Sequence, residues 1–193
     1  MSQRKLLIID TETGGLDPQE HSILTLGAVV WHNGAIDDEI LLEIAEPEIR
    51  ACKEALDVNG IDPVLHAQMG IDPLTCVNHL KGFLLKNDML GRRRKVHLAG
   101  HNFAAFDIGF VKRLYRLAGE DYEKLYSYRL LDTQALALAL DQAGRMPNLR
   151  STGLTELCEY FHIPLNRSTV HNALEDARAT AKLLTRMLDM IRK

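Results

Sequence analysis

An apolar run that ends in two closely spaced acids restricts the fold of this sequence more than any other feature. Residues 5–10 read KLLIID and are apolar on both faces of a strand, as in the centre of a sheet covered on both sides. Asp10 and Glu12 stand at its end. Because residues two apart share a strand face, the two carboxylates point the same way. A lone pair of this kind is usually a strand end that reaches solvent, so other elements must decide whether it is a site.

The remaining sequence predicts an α/β domain with a mixed five-stranded sheet flanked by helices. Three strands joined by short turns are followed by alternating strands and helices. We expect strands at 5–10, 23–31, 36–44, 96–100 and 128–131, and helices at 103–118, 133–143, 153–161 and 173–191. No linker composition divides the chain, so we expect a single domain over residues 1–193.

Local signals fix several of these boundaries. Asn33-Gly34 suits a tight turn between the second and third strands. Asp62-Pro63 and Asp72-Pro73 each combine an N-cap residue with proline at the first helical position, and each therefore predicts a helix start.

Composition excludes some classes of protein. A chain of 193 residues with 46% apolar content buries a full core, and a net charge of -3 argues against a basic nucleic-acid coat protein. The net charge does not exclude an enzyme that binds phosphates through metal ions. Cys52, Cys76 and Cys158 show no CxxC spacing, which indicates a reduced chain without a disulfide framework or a zinc site. With no apolar stretch of about 20 residues and no signal peptide, we expect a cytoplasmic protein.

Asp107 falls within the apolar stripe of the helix expected at 103–118. At 100° per residue it lies among Phe110, Val111 and Leu114, while the basic residues lie away from it. A carboxylate there costs several kcal/mol unless a cation or a donor meets it. A salt bridge to an arginine would satisfy it, and so would a metal ion.

Asp176 lies in the first turn of the last helix, which is apolar on two sides. A surface acid that favours the helix dipole is an equally good interpretation of this residue alone. Asp10, Glu12, Asp107 and Asp176 together occupy three separate elements, and convergence on divalent cations explains all four. Carboxylate and water ligands suit Mg²⁺ or Mn²⁺.

His171 stands just before a predicted helix cap. Asn172 is a good N-cap residue, and Glu175 completes a capping-box pattern. His171 and Asp176 then occupy the two positions that touch in a hydrophobic staple. An exposed histidine at a helix entry is common, but beside a cluster of acids a general base is the sharper interpretation, since an imidazole titrates near neutrality.

Three motifs, DTETGGL, HNFAAFD and HNALEDA, resemble in order and separation the exonuclease motifs of the DEDDh 3′–5′ exonuclease family, which includes polymerase III proofreading subunits and ribonuclease T. The resemblance extends from Leu6 to about Leu188 and implies a ribonuclease H-like fold. Two positions depart from the usual pattern. Gly14 replaces a threonine of the first motif, and Asn102 and Phe106 enclose three residues where two are more common.

The resemblance implies phosphodiester hydrolysis with two divalent metal ions, Mg²⁺ or Mn²⁺, held roughly 4 Å apart. Asp10 would bridge both ions, Glu12 and Asp176 would complete one site, and Asp107 would support the other. His171 would take the proton from the attacking water. The products would be nucleoside 5′-monophosphates released from a 3′ end.

Substrate contacts are also implied near the first two motifs. The backbone at Thr13 and Gly14 would approach the terminal 3′ hydroxyl, because glycine permits a close contact. Leu16 and Phe106 are candidates to stack on or wedge the terminal bases, and Asn102 is assigned to substrate binding with them. Core packing explains Phe106 equally well.

Basic residues beyond the motifs fall into two groups. Arg145, Arg150 and Arg167 lie in loops expected to flank the site and are candidates to follow a nucleic-acid backbone. The run from Arg92 to Lys95 is better explained as a solvated turn, since it enters its strand at the end remote from Asp107.

Three functional alternatives remain open at this stage. The expected partner is a single-stranded 3′ end, of DNA in preference to RNA, but a ribonuclease T-like RNA-trimming enzyme is a second interpretation. A third is a non-catalytic module of the same fold that binds nucleic acid or a polymerase. Association with a DNA polymerase subunit or as a homodimer is expected of such families, and no membrane partner is expected.

Overall fold

The computed structural model describes residues 4–91, 94–165 and 172–192. Its centre is one five-stranded sheet with the strand order β3-β2-β1-β4-β5. The strands are β1 (Leu6–Thr13), β2 (Ile23–His32), β3 (Ala35–Glu43), β4 (Val96–Gly100) and β5 (Tyr126–Asp132). β1 pairs antiparallel with β2 and parallel with β4, so the sheet is mixed and β1 is its central strand, as predicted.

Eight helices follow or connect these strands within the described part of the chain. They are α1 (Lys53–Asn59), α2 (Pro63–Met69), α3 (Pro73–Lys86), α4 (Asp107–Leu117), α5 (Tyr122–Leu125), α6 (Thr133–Gln142), α7 (Leu154–Tyr160) and α8 (Ala173–Arg192). In this part of the protein no helix is long and apolar enough to cross a bilayer.

Helices cover both faces of the sheet, which explains why β1 is apolar on both sides. Leu7 and Ile9 belong to a core that includes α3 and α4, whereas Ile8 packs with α8 through Ala177 and Leu184. The alternation of β1 therefore assigns odd-numbered residues to the α4 side and even-numbered residues to the α8 side. A third cluster lies beneath α6, α7 and the distal part of α8.

The local signals in the sequence are confirmed. Asn33 and Gly34 have φ angles of 52° and 90°, which a tight turn of the predicted kind requires. The side chains of Asp62 and Asp72 each accept two backbone N–H bonds at the starts of α2 and α3. Asn172 likewise accepts from the backbone of the first turn of α8.

One helix boundary was predicted wrongly. α4 begins at Asp107 instead of Phe103, because Asn102 adopts a left-handed conformation with φ 57°. The carboxylate of Asp132 accepts the backbone N–H groups of Asn102 and Ala104, and so holds this segment in a turn before the helix. The other predicted elements agree with the structure to within about three residues at each end, while α1 and α5 were not predicted.

Candidate active site

The carboxylates of Asp10 and Glu12 lie near the end of β1 on the α8 side of the sheet. β1 continues to Thr13, so both acids belong to the strand and have the shared orientation that their spacing predicts. Asp10 lies directly opposite Gly27 in the β1–β2 ladder, and Glu12 lies opposite Thr25.

Helix α8 brings a third carboxylate to the same place. Asp176 is its fourth residue, and it is 7% exposed. Its first turn packs directly on β2: a Cβ added to Gly27 would lie 2.4 Å from the carbonyl carbon of Ala173 and from the nitrogen of Leu174. The lack of a side chain at position 27 therefore permits the close approach that places Asp176 beside Asp10.

Asp10, Glu12 and Asp176 each offer a ligand oxygen, and these oxygens all lie within 4.8 Å of one another. Three carboxylates at such distances repel one another unless cations or donors neutralise them. A divalent cation fits this arrangement, because an all-oxygen donor set is the kind that Mg²⁺ and Mn²⁺ prefer. The first and third motifs, DTETGGL and HNALEDA, thus contribute the three acids of this centre.

Asp107 approaches from the opposite side of β1. It is 4% exposed, and its Oδ1 accepts hydrogen bonds from the backbone N–H of Thr11 at 2.9 Å and from the Thr11 hydroxyl at 2.7 Å. Thr11, not an arginine, is therefore the partner seen for this buried acid. Burial raises the pKa of Asp107 to about 6, although the bonds from Thr11 oppose the shift.

The four acids line one pocket of about 650 Å³. Asp107 lines it without belonging to the group of three within 4.8 Å. Asp107 therefore reaches the pocket from the face of β1 opposite to Asp10 and Glu12.

The loop after β1 forms one wall of the pocket. Thr13, Gly15 and Leu16 line it, and the Leu16 side chain is 83% exposed. The hydroxyl of Thr13 donates to the carbonyl oxygen of Gly15 at 2.8 Å, which closes the turn. Leu16 is thus presented to the pocket by a short, internally bonded loop.

Gly14 has a different environment from the one expected. It does not line the pocket, and a Cβ on it would lie 2.2 Å from the carbonyl oxygen of Arg50. Its N–H donates to Ser22, and its carbonyl accepts from Cys52. The glycine at this position is explained by the close passage of the segment before α1, so its role as room for a 3′ terminus stays only a prediction.

A wall that the sequence analysis missed is formed by α1 and its cap. Cys52, Glu54, Ala55, Val58 and Asn59 line the pocket. Val58 is 55% exposed and faces the space shared with Leu16. The signal for this helix was the Asn59-Gly60 pair, since Gly60 ends α1 in the left-handed conformation typical of a C-cap.

The third wall comes from the segment between β4 and α4. Asn102 and Phe106 line the pocket, as does His101. The Phe106 ring also packs on Phe110 with centroids 5.2 Å apart, so it contributes to the core and to the pocket together. Burial lowers the pKa of His101, whose Nδ1 lies 2.9 Å from the Thr133 hydroxyl.

The remaining predicted residues lie elsewhere. His171 and Arg167 lie outside the described residues, as do Arg92 and Arg93. Arg145 donates to a backbone carbonyl of α8, and Arg150 pairs with two glutamates of α7; neither lines the described pocket.

Comparison with known proteins identifies the family. A sequence profile of the exonuclease family (RNase_T) matches residues 7–184. The chain belongs to the exonuclease family. The identity inferred from the three motifs is thereby confirmed.

Individual relatives of this exonuclease differ in length and architecture. The PolC-type DNA polymerase III of Thermotoga maritima is 31% identical over 189 residues, which cover 97% of this chain and 12% of that protein. Ribonuclease T of Haemophilus influenzae is 27% identical over 192 residues, which cover 96% of this chain and 80% of that protein. The chain thus spans about an eighth of the polymerase relatives and most of the ribonuclease.

Solved structures confirm the fold. Escherichia coli exonuclease I in complex with a dA16 oligonucleotide superposes with a TM-score of 0.76 and 16% identity, over 98% of this chain and 43% of that one. The nuclease domain of 3′hExo bound to rAMP gives 0.74 and 17%, over 96% and 92%. The ribonuclease H-like fold expected from the motifs is therefore the fold of this protein.

Proposed function

We propose that this exonuclease degrades single-stranded nucleic acid from the 3′ end, in a reaction that depends on divalent metal ions, and releases nucleoside 5′-monophosphates. One observation carries the proposal: three carboxylates within 4.8 Å of one another lie in a pocket whose walls include exposed apolar side chains. The acids can bind a cation that in turn binds a phosphodiester, and the apolar walls can pack against the faces of bases.

The metal centre would use the acids in unequal roles. Asp10, Glu12 and Asp176 would hold one cation, and Asp107, from the other face of β1, would support a second that Asp10 shares. Bound Mg²⁺ or Mn²⁺ would supply Lewis-acid chemistry at the scissile phosphate. An imidazole nitrogen of His171 would accept the proton of the attacking water. Histidine suits this role because its ordinary pKa lies near neutrality.

The pocket walls would bind the end of the strand. Leu16 and Val58 present exposed apolar surface, and Phe106 adds a ring edge. Such contacts hold bases without reading their sequence. Asn102 and the backbone at Thr13 lie at the same pocket and would contact the terminal sugar.

The preferred substrate is proposed to be DNA. The relative with 31% identity is named as a DNA polymerase, and this supports a proofreading or repair role, alone or with a polymerase subunit. RNA trimming is the second candidate, because ribonuclease T matches over 80% of its own length. Ribonuclease T-like action as a homodimer belongs to this second candidate. The unoxidised thiols of Cys52 and Cys76 support a reducing, cytoplasmic location.

The test uses single-stranded DNA and RNA oligonucleotides of one sequence, labelled at the 5′ end, with Mg²⁺ or Mn²⁺. We expect a ladder that shortens from the 3′ end and mononucleotide products with a 5′ phosphate, formed faster from DNA. Asp10→Asn is the control for contaminating nucleases. Faster loss of RNA would establish the second candidate, and binding without cleavage would establish a non-catalytic module.

A further inference from the structure

Arg113 and Glu46 form a buried ion pair, and neither residue lines the pocket. Arg113 Nε donates to Glu46 Oε1 at 2.9 Å, and Nη2 donates to Oε2 at 2.7 Å. The two side chains are 9% and 2% exposed. This two-pronged geometry fixes both the distance and the angle between the groups that it joins.

Arg113 also fastens helix α4 to the loop after β1. We call residues 14–22 the entry loop. Arg113 Nη1 donates to the carbonyl oxygens of Pro18 at 3.2 Å and Gln19 at 3.3 Å. The same helix contacts the loop at Gly109, where an added Cβ would lie 2.7 Å from Pro18 Cγ. The helix that begins with Asp107 is thus bonded to the loop that carries Leu16.

Glu46 extends the connection to the end of the entry loop. Its carboxylate accepts from the Ser22 hydroxyl at 3.0 Å and from the Ile23 N–H at 3.2 Å. The Ser22 hydroxyl in turn accepts from the Arg50 N–H at 2.9 Å.

Backbone bonds complete the connection to α1. The Ser22 N–H donates to the Arg50 carbonyl at 2.9 Å, and the Cys52 N–H donates to the Gly14 carbonyl at 2.7 Å. Cys52 is the N-cap of α1, which carries Val58. Helix α4, the entry loop and α1, which each contribute to the lining of the pocket, are therefore connected to one carboxylate and one guanidinium.

We propose that Arg113 and Glu46 are positioning residues that set the width of the substrate pocket. They hold α4, the entry loop and α1 in register, and so keep Leu16 and Val58 at the spacing that a base requires. This inference rests on the proposed function. Stability alone is a poor reason for the pair, because burying two charges costs about as much free energy as their attraction returns.

The proposed role separates strand binding from the metal centre. Asp10, Glu12 and Asp176 lie on β1 and α8, on the face of the sheet opposite α4. Loss of the pair should therefore weaken binding of the oligonucleotide while leaving unchanged the affinity of the cation site formed by Asp10, Glu12 and Asp176. A cation held by Asp107 does not share this expectation, because Asp107 begins the helix that carries Arg113.

The experiment compares Glu46→Gln/Arg113→Met with a matched control pair. Glutamine keeps one acceptor oxygen, which can serve the Ile23 N–H or the Ser22 hydroxyl but replaces the other carboxylate oxygen by a donor. Methionine keeps apolar bulk while it removes the bonds to the entry loop. The control is Lys81→Met/Glu120→Gln, which removes an ion pair of 2.8 Å between α3 and the segment after α4, away from the pocket. Both are assayed on a single-stranded DNA oligonucleotide at a temperature where melting shows them folded.

We expect KM to rise at least about fivefold in the first variant, with kcat changed less. Calorimetry should show an unchanged affinity for the Mn²⁺ ion held by Asp10, Glu12 and Asp176. A merely structural role would lower the fraction of active molecules, and therefore kcat, without moving KM. Equal KM values in the two double variants would overturn the proposal.

A second measurement does not depend on nuclease activity. Hydrogen exchange at the amides of Gly14, Ser22 and Cys52 should become faster in the first double variant. It should also become faster in Arg113→Lys, because lysine keeps the charge but cannot make the two-pronged contact with a carboxylate. Unchanged exchange there would also overturn the proposal. If the parent chain fails to cleave any oligonucleotide, the proposed function fails, and the exchange result still decides whether the pair positions the loop.

Discussion

Gly27 and Asp10 face each other across the β1–β2 ladder. Because Gly27 has no side chain, helix α8 can approach Asp10 closely. The first turn of α8 occupies the space that a Cβ on Gly27 would fill. This contact brings Asp176 to the acidic centre from a helix more than 160 residues away in the sequence.

Gly27→Ala should therefore inactivate the protein without touching substrate. The added methyl group displaces α8 and Asp176, and a misplacement of this kind costs on the order of 100-fold in kcat. Mn²⁺ binding measured by calorimetry should weaken together with kcat. Gly82→Ala is the control, because no atom lies within 4 Å of the added Cβ in the exposed middle of α3. Wild-type metal affinity in Gly27→Ala would show that α8 tolerates the methyl group.

Asp107→Asn should stabilise the metal-free protein while it abolishes nuclease activity. The pKa of Asp107 rises to about 6 on folding, from an ordinary value of 3.8, because burial disfavours the charge. A raised folded pKa means that the folded state binds more protons, so stability falls as pH rises between about 4 and 6. The ionised carboxylate then costs up to about 3 kcal/mol at pH 7. Asparagine keeps an acceptor for Thr11 and carries no charge.

The measurement for Asp107 is urea unfolding in EDTA from pH 4 to pH 7. The difference in unfolding free energy between Asp107→Asn and the parent chain should grow with pH and level off above about pH 6. A difference that stays constant across this range would contradict the assigned ionisation.

Leu16→Ala and Val58→Ala should raise KM for a single-stranded oligonucleotide more than they lower kcat. Both side chains are largely exposed at the pocket, so their removal changes the free energy of unfolding by no more than about 0.5 kcal/mol. Leu85→Ala, at an exposed site of α3 away from the pocket, is the matched control. Steady-state kinetics on one oligonucleotide would decide the point, and three identical KM values would exclude base contacts by both residues.

Cys52 should be the thiol that reacts with a maleimide in the folded protein. It is half-buried and lines the pocket, whereas Cys76 and Cys158 are buried and burial raises the pKa of Cys76 to about 12. Labelling should block the pocket and inhibit cleavage, and a single-stranded oligonucleotide bound with Ca²⁺ should slow the labelling. Mass spectrometry of the labelled peptides checks the assignment. Inhibition of Cys52→Ser by the same reagent would locate the sensitive group elsewhere.

Much of the acidic centre could be predicted because its geometry depends on residues that are close together in the sequence. The spacing of Asp10 and Glu12 fixes their common orientation through the alternation of a strand, and Asn172 fixes the first turn of α8 through its cap. The burial of Asp107 followed from its place in the apolar stripe of α4.

What could not be predicted depends on contacts between distant segments. Gly14 lies within the first motif, yet a glycine is required there because of the close carbonyl oxygen of Arg50, which is distant in sequence. Helix α1 has no side chain capping its start, so the usual N-terminal signal was missing. The partner of Asp107 is Thr11, which lies on the face of β1 opposite to Asp10 and Glu12 and is 96 residues away in the sequence.

The side of the pocket formed by β1 and the side formed by α1 differ in local stability. Asp10 and Glu12 stand on the central strand of the sheet and pair there with β2, whereas α1 is a seven-residue helix with an exposed apolar side chain, Val58. Local opening begins in such peripheral elements and reaches a central strand last. The wall formed by α1 can therefore open locally, or change by mutation, while Asp10 and Glu12 keep their spacing. The lining of the pocket can thus diverge between relatives while the strand that carries the first two acids stays the same.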